Sequence, residues 1–168
     1  MRKMKITNTL TSGLQQLQYS EKTANEKACI KVALQLLNYC AVGSPNEPVM
    51  PPILTGYLRG SGSVFVNNKF ISATPKVNGK GDPLRSFSPL FSKGHTVISI
   101  IYNTEYAARW HESSGWTPGG KIPSTAKQNN PSITINVGNK WVEKHLYADG
   151  KDLMYLYQVT MNKEFFKG

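Results

Sequence analysis

The stretch that decides the fold is SEKTANEKACIKVALQLLNYCAV, residues 20–42. Ala24, Ala28, Val32 and Leu36 recur at intervals of four, the spacing that places side chains on one face of a helix. Further apolar residues fill the last two turns almost all round the helix. This pattern predicts a long helix, buried on more than one side towards its C-terminal end.

The limits of this helix also follow from the sequence. Thr23 with Glu26 three residues later matches a capping box, which favours a start near residue 20. Gly43 and Pro45 are helix terminators and predict the end. Residues 1–18 alternate only weakly between apolar and polar, and we interpret them as either a short helix or an arm.

The rest of the chain predicts an α+β domain. SVFV at 63–66 and TVISIIY at 96–102 have the composition of strands, and helical patterns begin near residue 139 and after Gly150. Segments rich in Gly and Pro predict long loops at 72–94 and 112–131, and a short helix is expected at 105–111. We therefore expect one domain over residues 1–168. A small antiparallel sheet would pack on the N-terminal helix and the C-terminal helices.

Composition narrows the class of protein. The 168 residues carry 20 Lys and Arg against 10 Asp and Glu, a net charge of +10 that favours polyanionic partners such as nucleic acid. No apolar run approaches the ~18 residues needed to span a bilayer, and no signal peptide is evident, so we expect no membrane partner.

Cys29 and Cys40 lie about 16 Å apart on one predicted helix, which is too far for a disulfide between them.

The sequence holds no pattern that favours catalysis. Trp110, His111 and Glu112 resemble the start of a zinc-protease motif, but position 115 is Gly rather than the second His. Neither a nucleophile elbow nor a phosphate-binding loop is present. We therefore predict no enzyme activity, no cofactor and no metal.

The 72–94 loop combines positive charge with aromatic residues, and this combination suits binding to single-stranded nucleic acid or to a protein partner. Its only acid is Asp82. The alternative is that its phenylalanines anchor the loop to its own core or to a neighbouring subunit. Of the two roles in an assembly, we favour docking on a neighbour over DNA contact, and we expect the loop to be ordered mainly by partners. The candidate contacts are Lys76, Lys80, Arg85, Phe87, Phe91 and Lys93.

Two further segments suggest a family. PILTGYLRGS at 52–61 and IYNTEYAARWHE at 101–112, followed by a helix led by Trp141, resemble the minor capsid and head–tail connector (tail-completion) proteins of tailed bacteriophages. The resemblance covers about residues 24–166. Glu105 departs from the proline usual in the family, and the 72–94 segment is longer than usual. The residues that match or support the motifs are Thr55, Gly56, Leu58, Arg59, Tyr102, Tyr106, Ala107, Trp110 and Trp141.

The resemblance implies a structural protein of the virion neck. Such a protein would form a ring, a hexamer or dodecamer, that joins head to tail around the DNA channel. Its partners would be other copies of itself and neighbouring neck, portal or tail proteins, with possible DNA contact. It would assemble in the host cytoplasm. A basic nucleic-acid-binding protein is the alternative, and a metal-dependent hydrolase comes third.

Simple physical roles follow for the motif residues. Gly56 suits a positive φ or a close backbone approach. Arg59 offers a planar donor group that fixes a corner by binding a carboxylate or carbonyl oxygens. Tyr102, Tyr106 and Trp110 suit an interface, and ordinary core packing explains Tyr102 and Tyr106 equally well.

Overall fold

The computed structural model describes residues 7–46, 49–51, 56–87, 95–105, 107, 136–137 and 140–167. Its architecture is the predicted α+β arrangement, with three helices and a small antiparallel sheet. The elements in chain order are α1 (Thr7–Val42), β1 (Val49–Met50), β2 (Gly62–Val66), β3 (Lys69–Ala73), β4 (Ile98–Tyr102), β5 (Asn136–Val137), α2 (Trp141–Ala148) and α3 (Gly150–Phe165).

Helix α1 is longer than its sequence pattern predicts. It begins at Thr7, so residues 7–18 continue the same helix and Thr23 lies inside it. The capping-box interpretation was therefore wrong. The predicted end is confirmed, because Gly43 has φ +82° and its N–H donates to the Tyr39 carbonyl at 2.7 Å. A left-handed glycine that satisfies a terminal carbonyl is a common way to close a helix.

The main sheet has the order β3–β2–β4, with both pairs antiparallel. Strand β3 was not predicted from the sequence. The signal was the pair Asn67 and Asn68, whose φ values of +48° and +68° form the two-residue turn that joins a tight hairpin. Asparagine tolerates this left-handed backbone better than most residues. Strands β1 and β5 form a separate parallel pair.

Both faces of the central strand β2 are covered. Val64 and Val66 are fully buried against Ala33 and Leu37 of α1. This contact places the sheet on the C-terminal half of α1, where the sequence predicts burial on more than one side.

The segment after β3 covers the second face of β2. Phe65 is fully buried and contacts the rings of Phe70 and Phe87, with centroids 5.7 and 5.8 Å away. Ser63 Oγ donates to the Leu84 carbonyl at 2.8 Å. The expectation that the 72–94 loop is ordered mainly by partners was therefore wrong for residues 74–87, because they pack on their own sheet. Residues 88–94 lie outside the described residues.

The C-terminal helices occupy the predicted positions. Helix α3 runs back along α1: Leu153 near its start packs with Leu36, and Glu164 near its end pairs with Lys27 at 2.7 Å. Tyr157 OH donates to Asn25 Oδ1 at 2.9 Å. Of the short helix expected at 105–111, Ala107 is helical and only position 105 is also described. The predicted loop at 112–131 lies outside the described residues.

Candidate functional site

The first motif forms a tight corner before β2. A single 3-10 turn, Arg59–Ser61, follows Gly56, which has the expected positive φ of +83°. A Cβ at Gly56 would collide with the Val77 carbonyl, and one at Gly60 would collide with the Lys80 carbonyl. Both glycines are therefore needed because the corner is pressed against the hairpin that contains residues 77–80.

Arg59 fixes this corner from the inside. Its side chain is buried, and Nη2 donates to the Pro51 carbonyl at 2.9 Å. Burial lowers the pKa of the guanidinium to about 10, against an opposing influence of Tyr102, so the group stays protonated at neutral pH. The expected corner role thus rests on a backbone carbonyl. Thr55, in the same motif, lies outside the described residues.

The second motif meets the first in the core. Tyr102 and Trp141 make an edge-to-face contact with centroids 5.5 Å apart. Both pack in a cluster that includes Leu58 and Ala107. Burial is the main cause that raises the pKa of the Tyr102 phenol. Core packing is therefore the correct interpretation of Tyr102. Tyr106 and Trp110 lie outside the described residues.

Trp141 begins α2, as predicted, and is 1% exposed. Both motifs and the closing helix thus contribute to one core cluster, although they are spread over more than 80 positions of the chain. This convergence gives the motif residues a shared structural role, which is to join the corner, strand β4 and the C-terminal helices.

The basic loop is only partly available to a partner. Lys76, Lys80 and Arg85 are exposed, and the Arg85 guanidinium also lies 4.7 Å from the centre of the Phe70 ring. Phe87 packs on Phe65, so of the two anchoring roles left open, contact with its own core is the one that the structure shows. Phe91 and Lys93 lie outside the described residues.

A buried polar cluster that was not predicted lies where α2 meets α3. Asp149 Oδ2 lies 2.8 Å from His145 Nδ1, and Asp149 Oδ1 accepts hydrogen bonds from Ser44 Oγ at 2.8 Å and Asn46 Nδ2 at 3.0 Å. Tyr39 stacks on the His145 ring, with centroids 5.9 Å apart. The available signal was the spacing of His145 and Asp149, four residues apart and hence on one helix face.

This cluster has the composition of a catalytic site but the geometry of a structural link. Ser44 donates to the carboxylate rather than to the imidazole, so the histidine is not placed to accept its proton. His145 and Asp149 are fully buried. The cluster ties the residues that follow α1 to the junction of α2 and α3.

The described part of the chain holds neither a metal-binding cluster nor a membrane-spanning helix. Among the residues with described positions, no group of three or more His, Cys, Asp or Glu side chains is placed to hold a metal ion. His111 lies outside that part of the chain. No helix in the same part is both long enough and apolar enough to cross a membrane.

The corner can be tested by comparing two glycines. Gly56→Ala is expected to lower the melting temperature more than Gly79→Ala. Both positions have positive φ, at +83° and +73°, so both variants incur roughly 1 kcal/mol of backbone cost. Only the Cβ at position 56 meets a backbone carbonyl, whereas position 79 faces open space. Equal melting temperatures of the two variants, measured by circular dichroism, would show that the corner accommodates a Cβ at position 56 without additional loss of stability.

Comparison with protein-family models, with curated proteins and with solved structures found no match to this chain.

Proposed function

We propose that this chain is a structural protein of a tailed-phage neck, assembling into a hexameric or dodecameric ring that joins head to tail around the DNA channel. It acts by assembly rather than by turnover. In the virion its partners are other copies of itself and the adjoining portal, neck or tail proteins.

The motif geometry supports this proposal. Gly56, Leu58, Arg59, Tyr102 and Trp141 all serve to hold elements together, and none presents a reactive group to solvent. The segments that resemble the connector family thus build a rigid frame.

The observation that carries the proposal is the large apolar surface left on the C-terminal helices. Single exposed apolar side chains are normal, but several on adjacent turns mark an interaction surface. On α3, Tyr155 and Val159 lie on one outer stripe that Phe166 continues directly after the helix, Met154 lies to one side of it, and α2 adds two more. These exposed residues are Leu146, Tyr147, Met154, Tyr155, Val159 and Phe166.

The test is the mass of the full chain in solution. Light scattering across a concentration series, followed by negative-stain electron microscopy, is expected to show a closed ring of six or twelve copies. A Tyr155→Ser, Val159→Ser double variant should shift the population towards the monomer without changing the melting temperature, because both side chains are exposed in the single chain. A monomer at every concentration would contradict the proposal.

A nucleic-acid-binding protein remains the second candidate, favoured by the net charge and by the exposed Lys76 and Lys80 on one hairpin. If these lysines bind phosphates, Lys76→Gln with Lys80→Gln should reduce the slope of log affinity against log salt by about 2. Lys22→Gln with Lys31→Gln removes the same charge from exposed positions of α1 and is the matched control. Weak binding by the monomer, equally reduced by both pairs, would exclude this candidate.

A further inference from the structure

The N-terminal part of α1 extends past the rest of the described chain. Ala24 is buried, and Asn25 bonds to both Thr96 and Tyr157, but residues 15–19 are all exposed. Leu17 is 56% exposed and Tyr19 is 73% exposed. From Thr7 to Tyr19 the helix rises about 20 Å. We call residues 7–19 the arm.

The arm has few means of staying helical alone. It contains no charged residue, so it gains nothing from ion pairs between successive turns. Its first seven residues, TNTLTSG, include six of low helix propensity. Isolated helices of this length are marginal in water even with good sequences, and most helical stability in proteins comes from packing of an apolar face.

The arm does have such a face. Positions 10, 14 and 17 are all leucine, and this spacing places them on one side of the helix. Leu17 is mostly exposed in the single chain, so this leucine is available to pack against another molecule.

A complementary surface exists on α3. Tyr155 and Val159 stand four residues apart on α3, and Phe166, seven residues further on, directly follows the helix, so the three side chains form one stripe. They are 69%, 45% and 80% exposed, while the opposite side of α3 buries Leu153 and Thr160. The stripe therefore faces away from the core of its own chain.

Charge indicates which molecule fills the stripe. Lys151 and Lys163 flank it and are exposed, and every copy carries a net charge of +10. A second copy that approached with a lysine-bearing face of its own would meet like charge. Residues 15–19 of the arm are exposed and carry no charge, so Leu17 can pack beside these lysines without repulsion.

We infer that the arm of one copy packs on the outer face of α3 of a second copy, with Leu17 against the stripe of Tyr155, Val159 and Phe166. The two surfaces differ, so the contact is head-to-tail and each copy both gives and receives an arm. Such contacts repeat around an axis and can close into a ring. This inference rests on the proposed ring function and names the contact that builds it.

Cysteine cross-linking tests the contact directly. In a Cys29→Ser background, Leu17→Cys and Val159→Cys chains would be purified separately, mixed and oxidised. We expect a disulfide-linked pair containing one chain of each kind, and a ladder of higher species from the double variant. Leu34→Cys is the matched control, because Leu34 is also exposed on α1 but lies within the body of the domain. It is expected to give no link to Val159→Cys.

A charge variant gives a second readout. Leu17→Lys should weaken self-association by about tenfold or more, because it removes the apolar contact and adds like charge beside Lys151 and Lys163, and it should leave the melting temperature of the single chain unchanged. A ring that persists in this variant, with no Leu17–Val159 link, would overturn the arm contact while leaving the proposed function intact. A wild-type chain that is monomeric throughout would overturn both. Cross-linked pairs that never form a ring would support the arm contact and contradict the ring.

Discussion

Leu36→Asp is expected to abolish soluble folding. Leu36 is 4% exposed and packs with Cys40, Leu58 and Trp141. An unpaired carboxylate there costs several kcal/mol, comparable with the ~5–15 kcal/mol that stabilises a whole domain. The measurements are the soluble fraction after expression and, for any soluble protein, the melting temperature.

Leu34→Asp is the control for this substitution. It makes the same chemical change two residues away on α1, at a side chain that is 40% exposed. Exposed substitutions usually change stability by about 0.5 kcal/mol or less. Similar behaviour of the two variants would show that this part of α1 does not face a packed core.

Asp149→Ala is expected to lower the free energy of unfolding by about 1–3 kcal/mol for each buried group that loses its hydrogen bond to this carboxylate. The substitution removes the buried carboxylate that both His145 and Ser44 contact. It also removes two of the contacts that join the residues after α1 to the junction of α2 and α3. Urea unfolding followed by tryptophan fluorescence measures the loss, because Trp141 lies in α2 near this junction.

Asp152→Ala is the matched control, since Asp152 is exposed and accepts a hydrogen bond from the same Asn46, at 3.0 Å. Its effect should stay near 0.5 kcal/mol. Asp149→Asn should fall between the two, because it keeps an acceptor oxygen for Ser44. Equal losses in the two alanine variants would show that the buried cluster contributes no more than a surface contact.

Part of the candidate site was predictable from residue type. The positive φ at Gly56 followed from its place in a tight segment, and the corner role of Arg59 followed from the geometry of its guanidinium. The partner of Arg59 was not predictable, because the Pro51 carbonyl is a backbone group that every residue offers. The same holds for Phe87, whose aromatic ring suits a neighbouring subunit and its own sheet equally well until the position of Phe65 is known.

The sequence by itself determined the C-terminal half of α1, strands β2 and β4, and helices α2 and α3. Each has an apolar period or a terminator that acts over a few neighbouring residues, so local physics suffices. Only the tertiary structure decided that residues 74–87 cover β2. It also decided that the Asp149 carboxylate accepts a hydrogen bond from Ser44, which lies 105 positions earlier in the chain. Such contacts join groups whose local sequences are unremarkable. The packing of α1 against the sheet and α3 brings them together, and no short stretch of residues encodes that packing.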